Sequence, residues 1–572
     1  MINTKEGQKI EPQKYISSDG LVWFLFDEKD TSLPLVGNLD PETGVIVCAP
    51  LARVDKRVES IKAWSGARYS RFPGEPWEIY GEIAGKSKNI ADEKLEETFI
   101  NYGHASVADM ANLHVDITGI PMHICMNIFN LGYVNSGQEK STRYQKKFGE
   151  ASLSPVGLFL TDELSPDKKE VLEEKCQEIG ETALGFFAKY KERLGEEYRK
   201  FYRPESEQIK SLDNRVLDTA RSFLLLGHQS GMRMVTTARD WARIIGELSS
   251  SPIPLYPKVA NQIKRLLAPE AVEEETLAFL AEAPSLIKHA EVNSTVNNNL
   301  GELRRYLLRE TNLLSKVGIK KEFGGKVEQK VKVFPKNSSA VKKLAFEYCL
   351  SLWPGIDQDK LYSWLSRCDS STKSKIHEII FQNHNQYKEL PGYARTTDIT
   401  FNLDIALGEL RDFNRHKSVA RFYNLPMVFT DSALTRDTVL QILSQGFILP
   451  LYLTDIPEFE LISKGFELDM RKLYGKIYDL VDCAGIWGVE DYSFIYNLLP
   501  LAQKITLILS SDPKSSNYIN HLRVKEGGHI NYRMLAYDMA RATGRFGAYA
   551  SGFSKNIKRP DPANGEEFFS RK

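Results

Sequence analysis

The sequence predicts an α+β protein built from two related domains, and three observations carry that expectation. At 572 residues the chain exceeds what one ordinary hydrophobic core organises. A switch from the two-residue period of a strand to the period of a helix occurs twice, across 112–129 and across 398–416. Between the two, residues 318–339 (GIKKEFGGKVEQKVKVFPKNSS) break the pattern with Gly, Lys and Pro.

Taken in order, residues 1–40 are polar and punctuated by Pro and Gly, an N-terminal extension. The run 44–49 (GVIVCA) predicts a short buried strand, 56–67 a helix, and 91–102 another helix stopped by Gly103. Residues 112–118 alternate as a strand does, and Pro121 opens a helix through Phe129, since proline suits a first turn. Residues 161–203 are charged and helically periodic; 212–248 are largely helical, and helix continues over 255–315. This gives a first domain over 41–317, a linker over 318–339 and a second domain over 340–572.

In the second domain helices run from 339 to about 385. The strand-to-helix switch follows: Ile399, Phe401, Leu403 and Ile405 alternate with polar residues, then Ala406, Leu407, Leu410 and Phe413 share one helical face. That helix ends in Arg415, His416 and Lys417, with Arg411 one turn earlier. Further helices are expected at 460–480, 491–509 and 518–542, before a Gly- and aromatic-rich tail lying as extended chain. The segment 220–231 (ARSFLLLGHQSG) answers 496–507 (YNLLPLAQKITL), so the second domain repeats the order of the first.

Composition narrows the function. With 75 basic and 75 acidic residues, no global field recruits nucleic acid or a membrane surface. The longest apolar runs fall short of a membrane span, and the N-terminus lacks the apolar core of a secretion signal. Cys48, Cys125, Cys176, Cys349, Cys368 and Cys483 are scattered without metal-ligand spacing, which fits a cytoplasmic protein without zinc or structural disulfides. The cations at 415–417 either complement the helix dipole and pair with Glu409 and Asp412, or hold an anionic ligand.

Three matches in one order now carry a resemblance. The first half has GHASVAD (103–109), the strand and helix, then QEKSTRY (138–144); the second has RDFNRHK (411–417), then LLPL (498–501) and HLRVKEGGHINYR (521–533). Together these resemble the flavin-dependent thymidylate synthases, whose pattern is a Gly-His turn, a strand, a helix ending Arg-His-Arg, and a loop ending Ser-x-Arg-Tyr. The resemblance implies two thymidylate-synthase-complementing-like domains, each a small antiparallel sheet with many helices. Each copy is incomplete. The first reads NLGY (130–133) where the family has Arg-His-Arg, yet keeps Glu139, Ser141, Arg143 and Tyr144. The second keeps Arg415, His416 and Lys417 but lacks the Ser-x-Arg-Tyr loop. The family's Asn-x-Arg is Thr237-Ala238-Arg239 in the first copy and Asp512-Pro513-Lys514 in the second; its Leu-Arg is Glu247-Leu248 and Leu522-Arg523.

The resemblance therefore implies a fused pair whose halves share one set of ligand-binding groups. Glu139, Ser141, Arg143, Asp412 and Arg523 are the nucleotide-binding candidates, with Arg143 and Arg523 taken as catalytic. Arg415, His416, Lys417, Arg239 and His104 are the candidates for FAD. The implied reaction is reductive methylation of dUMP to dTMP, with methylenetetrahydrofolate and NADPH as co-substrates, in a homodimer equivalent to the family tetramer. A flavoenzyme diverged toward another nucleotide or folate-linked substrate, and a non-catalytic nucleotide-binding scaffold, are the alternatives.

The residue types suit that chemistry. Arginine can bond two phosphate oxygens at once, and Ser141 and Arg143, two apart in extended chain, point the same way. The bland counterpart is a surface Arg143 paired with Glu139, worth under about 1 kcal/mol. His104 serves equally as a turn cap, and Arg523 and Arg533 as solvent-facing helix cations. Gly527-Gly528 is an odd interruption for such a helix and favours a close backbone approach. Lys417 in place of arginine gives up bidentate geometry, and Asp412, where the family has glutamine, accepts hydrogen bonds but does not donate them when ionised.

Overall fold

Alternating apolar residues build the two larger antiparallel sheets, and the strand that opens each core runs directly into a helix. A computed structural model describes residues 13–17, 19–26, 35–50, 58–69, 90–97, 105–132, 136–142, 152–160, 164–269, 283–287, 290–318, 324–333, 340–369, 399–416, 419–425, 434–511, 519–520, 522–543 and 558–570, with short isolated pieces besides. The strands are β1 (Gln13–Ile16), β2 (Val22–Phe26), β3 (Leu35–Leu39), β4 (Ile46–Pro50), β5 (Asn112–Pro121), β6 (Ser136–Glu139), β7 (Gln229–Thr237), β8 (Lys330–Val333), β9 (Ile399–Ala406), β10 (Ala420–Tyr423) and β11 (Lys504–Ser511). The principal helices are α1 (Val58–Tyr69), α2 (Ile90–Leu95), α3 (Met122–Leu131), α4 (Pro166–Tyr202), α5 (Ile209–Ala220), α6 (Ala238–Ser249), α7 (Leu255–Leu267), α8 (Thr295–Arg309), α9 (Ala340–Leu352), α10 (Gln358–Arg367), α11 (Leu407–Phe413), α12 (Arg436–Ser444), α13 (Glu460–Ile486), α14 (Ile530–Thr543) and α15 (Gly565–Phe569).

By packing, the chain forms two units, one of residues 1–140 and 229–294, the other of 141–228 and 295–572. The first unit holds a seven-stranded sheet in the order β1-β2-β3-β4-β5-β7-β6. The polar N-terminus thus adds three strands to a sheet edge, with Trp23 and Val36 buried, where the sequence predicts an extension. Its short strands interleave with Gly and Pro, which hides the alternation. β5 pairs with β7 from Asn112↔Thr237 to Pro121↔Gln229, with a bulge at Gly119, whose φ of +81° favours glycine. Pro121 caps α3, as proline before a first turn should.

The second unit holds a four-stranded sheet in the order β8-β9-β11-β10. The run β4-β5-β7-β6 of the first sheet has the same succession: a flanking strand, the opening strand, the last strand, then the short strand. β9 and β11 pair over eight residues, Ile399↔Ser511 to Ala406↔Lys504, without a slip. Phe401, Leu403 and Ile405 are fully buried on β9, as the alternation predicts.

Two stretches expected as helix contain the last strands of the sheets. Residues 229–237 are β7, and 493–511 form a short 3-10 turn followed by β11. A buried run such as KITLILSS suits a fully covered strand as well as a helix, and only its sheet neighbours decide. The expected linker contributes β8, and the helix expected over 518–542 breaks at a turn over 525–528. The tail ends in α15, where extended chain is expected; residues 544–557 lie outside the described set.

Within the second unit the matched segments of the repeat pair with each other. Leu226 and Gly227 donate to the carbonyls of Leu499 and Asn497, while Leu501 and Ala502 donate to Leu224 and Ser222. Leu225 and Pro500 form the central bridge. The long helices α4 and α13 meet in the same unit through Lys189 and Tyr190, both bonded to Asp469 Oδ2, with the Tyr190 ring 4.6 Å from Phe466. The crossing requires Gly227, because a Cβ there would sit 2.6 Å from the Asn497 carbonyl oxygen. Gly227→Ala is expected to destabilise the fold by about 2 kcal/mol through overpacking, measured as a lowered denaturant midpoint.

Candidate functional site

The backbone crossing continues directly into the candidate site. Leu407 and Gly408 open α11 by donating to the carbonyls of Gln503 and Leu501, extending the β9–β11 pairing past the strand end. Arg221, just before the crossing segment, returns the contact by reaching the Gly408 carbonyl at 3.4 Å. All seven residues of α11 are buried, so its polar side chains must find partners inside the protein.

A buried polar cluster results. Thr142 Oγ1 accepts from Arg221 Nη1 at 3.3 Å and from Arg411 Nη1 at 3.2 Å. Asp412 lies 3.8 Å from both Arg221 Nη2 and Arg523 Nη1. Arg523 Nε donates to His416 Nε2 at 2.6 Å, Arg523 Nη2 bonds the Asp412 carbonyl, and Arg421 Nη1 bonds the His416 carbonyl. The Arg523 guanidinium rests 5.3 Å above the Tyr532 ring. One turn earlier on α11, His529 Nδ1 stands 3.5 Å from Glu409 Oε1.

Burial sets the protonation states here. Loss of water, opposed by the charge of Arg221 and reinforced by Asp412, pushes the Glu409 carboxyl up to about 7. His416 is pushed down to about 3 by burial and then by Arg523 and Arg421, so at neutral pH it is a neutral acceptor for the Arg523 N–H. The cluster therefore holds arginines permanently charged, a histidine kept neutral and an acid near its midpoint at pH 7.

Several sequence candidates meet here. Asp412, His416 and Arg523 are in direct contact, and Thr142 lies between Ser141 and Arg143 in the chain. His416 thus faces Arg523, although the sequence reading grouped it with the flavin set. Arg415 is exposed at the end of α11. Glu139, half-buried, and Arg239 belong to the first unit, where Arg239 pairs with Asp109 at 3.1 Å and both are half-exposed. His104, Arg143, Lys417 and the 512–514 segment lie outside the described residues.

Sequence reasoning missed Arg221, Thr142, Arg421 and His529. For Arg221 the signal was present, since it sits in the segment matched between the halves. Gly528, read as a site of close approach, packs under Tyr532: a Cβ would lie 2.3 Å from its hydroxyl. The glycine thus lets the ring that carries Arg523 fold back over the turn.

The corresponding positions of the first unit are neutral or saturated. On α3, His123 and Asn127 both bond the Tyr256 hydroxyl, at 3.1 and 2.5 Å. Arg243 spans Asp240, Glu247 and the Leu131 carbonyl at the end of the same helix. Among the described residues no group of three or more potential metal ligands occurs, and no helix is long and apolar enough to cross a membrane.

Residues 58–271 match the family model described as thymidylate synthase complementing protein. Among curated proteins, a UPF0159 protein of Chlamydia pneumoniae is 20% identical over 471 residues, spanning 81% of this chain and 80% of that one. A UPF0159 protein of Chlamydia muridarum is 21% identical over 474 residues, with 80% and 79% covered. Two solved structures of the Helicobacter pylori flavin-dependent thymidylate synthase, both with FAD and dUMP, match 40% and 39% of this chain and 95% of their own, at 14% and 12% identity and a TM-score of 0.22.

Because Glu409 titrates higher in the fold than in the unfolded chain, its contribution is fully present below about pH 4.5 and is lost as pH rises through 7. Glu409→Gln removes that window. The stability of the variant relative to the parent is expected to rise by about 3 kcal/mol between pH 4.5 and 8, read from urea unfolding at each pH.

Proposed function

We propose that this chain, whose residues 58–271 match the family model described as thymidylate synthase complementing protein, binds a pyrimidine nucleoside monophosphate of the dUMP type at the buried arginine cluster and reductively methylates it. The observation that carries the reading is the contact of Arg523 with His416 and Asp412, beside two further guanidiniums, Arg221 and Arg411, that converge on the Thr142 hydroxyl. Like charges drawn onto one neutral acceptor repel, and an anion placed among them relieves that repulsion.

Each residue then has a role. Ser141 and Arg143 supply a hydroxyl and a guanidinium to the phosphate from the loop that Thr142 anchors, and Arg523 supplies a second guanidinium from the other copy. Asp412 and neutral His416 hold the Arg523 fork in one plane, so its orientation is set before the ligand arrives. FAD is assigned to the exposed Arg415 just past α11, a cation open to its phosphates. When bound, FAD supplies the hydride, methylenetetrahydrofolate the carbon, and NADPH recharges the flavin.

The two domains are read as worn copies of one ancestor, supported by the shared strand order and by the pairing of 222–227 with 497–502. The saturated positions in the first copy, around His123, Tyr256 and Arg243, favour one nucleotide site per chain rather than two. A fused pair that dimerises corresponds to the family tetramer.

Arg523→Ala and Arg143→Ala, made singly, are expected to weaken dUMP binding by about 100-fold each while leaving FAD content unchanged, as measured by calorimetry and flavin absorbance. Tritium release from labelled dUMP with methylenetetrahydrofolate and NADPH should fall in parallel. Unrelated effects of the two substitutions on dUMP affinity would sink the shared-site reading.

A further inference from the structure

We propose that the C-terminal helix α15 is a positioning element for the nucleotide site, acting through the buried Arg215 and through Arg533 on the turn that carries Arg523. The inference rests on the reading of Arg523 as a nucleotide ligand, but its geometry stands on its own. Arg215, on α5, is fully buried, with Asp218 3.9 Å away on the same helix. Its guanidinium spans two separate segments. Nη1 bonds the Gly528 carbonyl at 2.6 Å and Nη2 the Glu526 carbonyl at 2.8 Å, both in the turn following Arg523. Nε bonds the Phe568 carbonyl at 3.0 Å and Nη2 also reaches the Glu567 carbonyl at 3.2 Å, both in α15.

A second arginine makes the same connection. Arg533 Nε bonds the Val524 carbonyl at 3.1 Å, and its Nη2 pairs with Glu567 Oε2 at 2.7 Å. The residues on either side of Arg523's turn are thereby tied to the tail by two buried forks, and each fork is satisfied only with both segments in place. Apolar contact holds the tail itself. Phe568 stacks on Tyr202 at 3.8 Å and meets Tyr198 and Tyr452 edge-on at 5.4 Å, and the Tyr202 hydroxyl bonds the Pro562 carbonyl at 2.6 Å. If α15 leaves, Arg215 keeps its turn contacts but loses the carbonyls that fix its plane, and Glu567 no longer anchors Arg533. The turn is then free to carry Arg523 away from His416 and Asp412.

The test uses the full-length protein with Glu567→Gln and, separately, Phe568→Ala. Hydrogen exchange across 522–529 reads the bracing, and dUMP titration reads its consequence. Faster exchange at 522–529 together with about tenfold weaker dUMP binding and unchanged FAD content is the expected result. Exchange and dUMP affinity equal to the parent, with only a lowered melting temperature, overturns the proposal and leaves α15 a structural plug. If the parent itself fails to bind dUMP while exchange at 522–529 still rises in the variants, the bracing stands and the nucleotide reading falls. Should Phe568→Ala fail to fold, Glu567→Gln alone decides, since it keeps the shape of the side chain and removes only its charge.

Discussion

The backbone pairing of residues 222–227 with 497–502 is the constraint on which the site depends. It joins two segments that occupy equivalent places in the two strand orders, and it does so with hydrogen bonds that leave little freedom of register. Arg221 precedes one segment; the other continues into β11, against which α11 begins. Once the segments pair, Arg221 and α11 are necessarily neighbours, and the polar groups of α11 meet guanidiniums rather than apolar chain. Gly227 permits this approach, and neutral His228, held down to about 4 by burial, bonds the Leu225 N–H from within it.

The electrostatics of the cluster follow from burial more than from any single pair. Arginines keep their charge in such surroundings, whereas carboxylates and imidazoles give theirs up first. Glu409 is accordingly driven toward its neutral form, which leaves the arginine charge less compensated, while His416 is held neutral and adds no further cation beside Arg523. Asp412, near two guanidiniums, is the acid placed to orient them. The geometry of the cluster is set in advance, because its members are fixed by contacts with one another and with the backbone.

How much of this site was legible depends on the residue. The Arg-His pair at 415–416, Asp412 and Arg523 stood out because they sit at the helix ends where a family resemblance places ligand groups. Arg221 lies within the repeated segment yet carries no signal of its role, since an arginine in an apolar segment gives no sign of which distant carbonyl it will reach. The exposure of Arg415 and the inward turn of His416 are equally invisible: neighbours in sequence, both lie past the end of α11 at Phe413, where no helical period fixes which way each faces. Residues 504–511 failed for a related reason, as a buried apolar run carries no period that separates strand from helix.

By itself the sequence determined the α+β class and the two strand-to-helix switches, expected across 112–129 and 398–416, because these follow from local periodicity and chain order. Only the tertiary structure decided that the polar N-terminus completes a sheet, that β7 and β11 are strands, and that arginines far apart in the chain meet on one hydroxyl. Those outcomes depend on which backbone groups lack partners until distant segments arrive, and no local pattern encodes a partner that is hundreds of residues away.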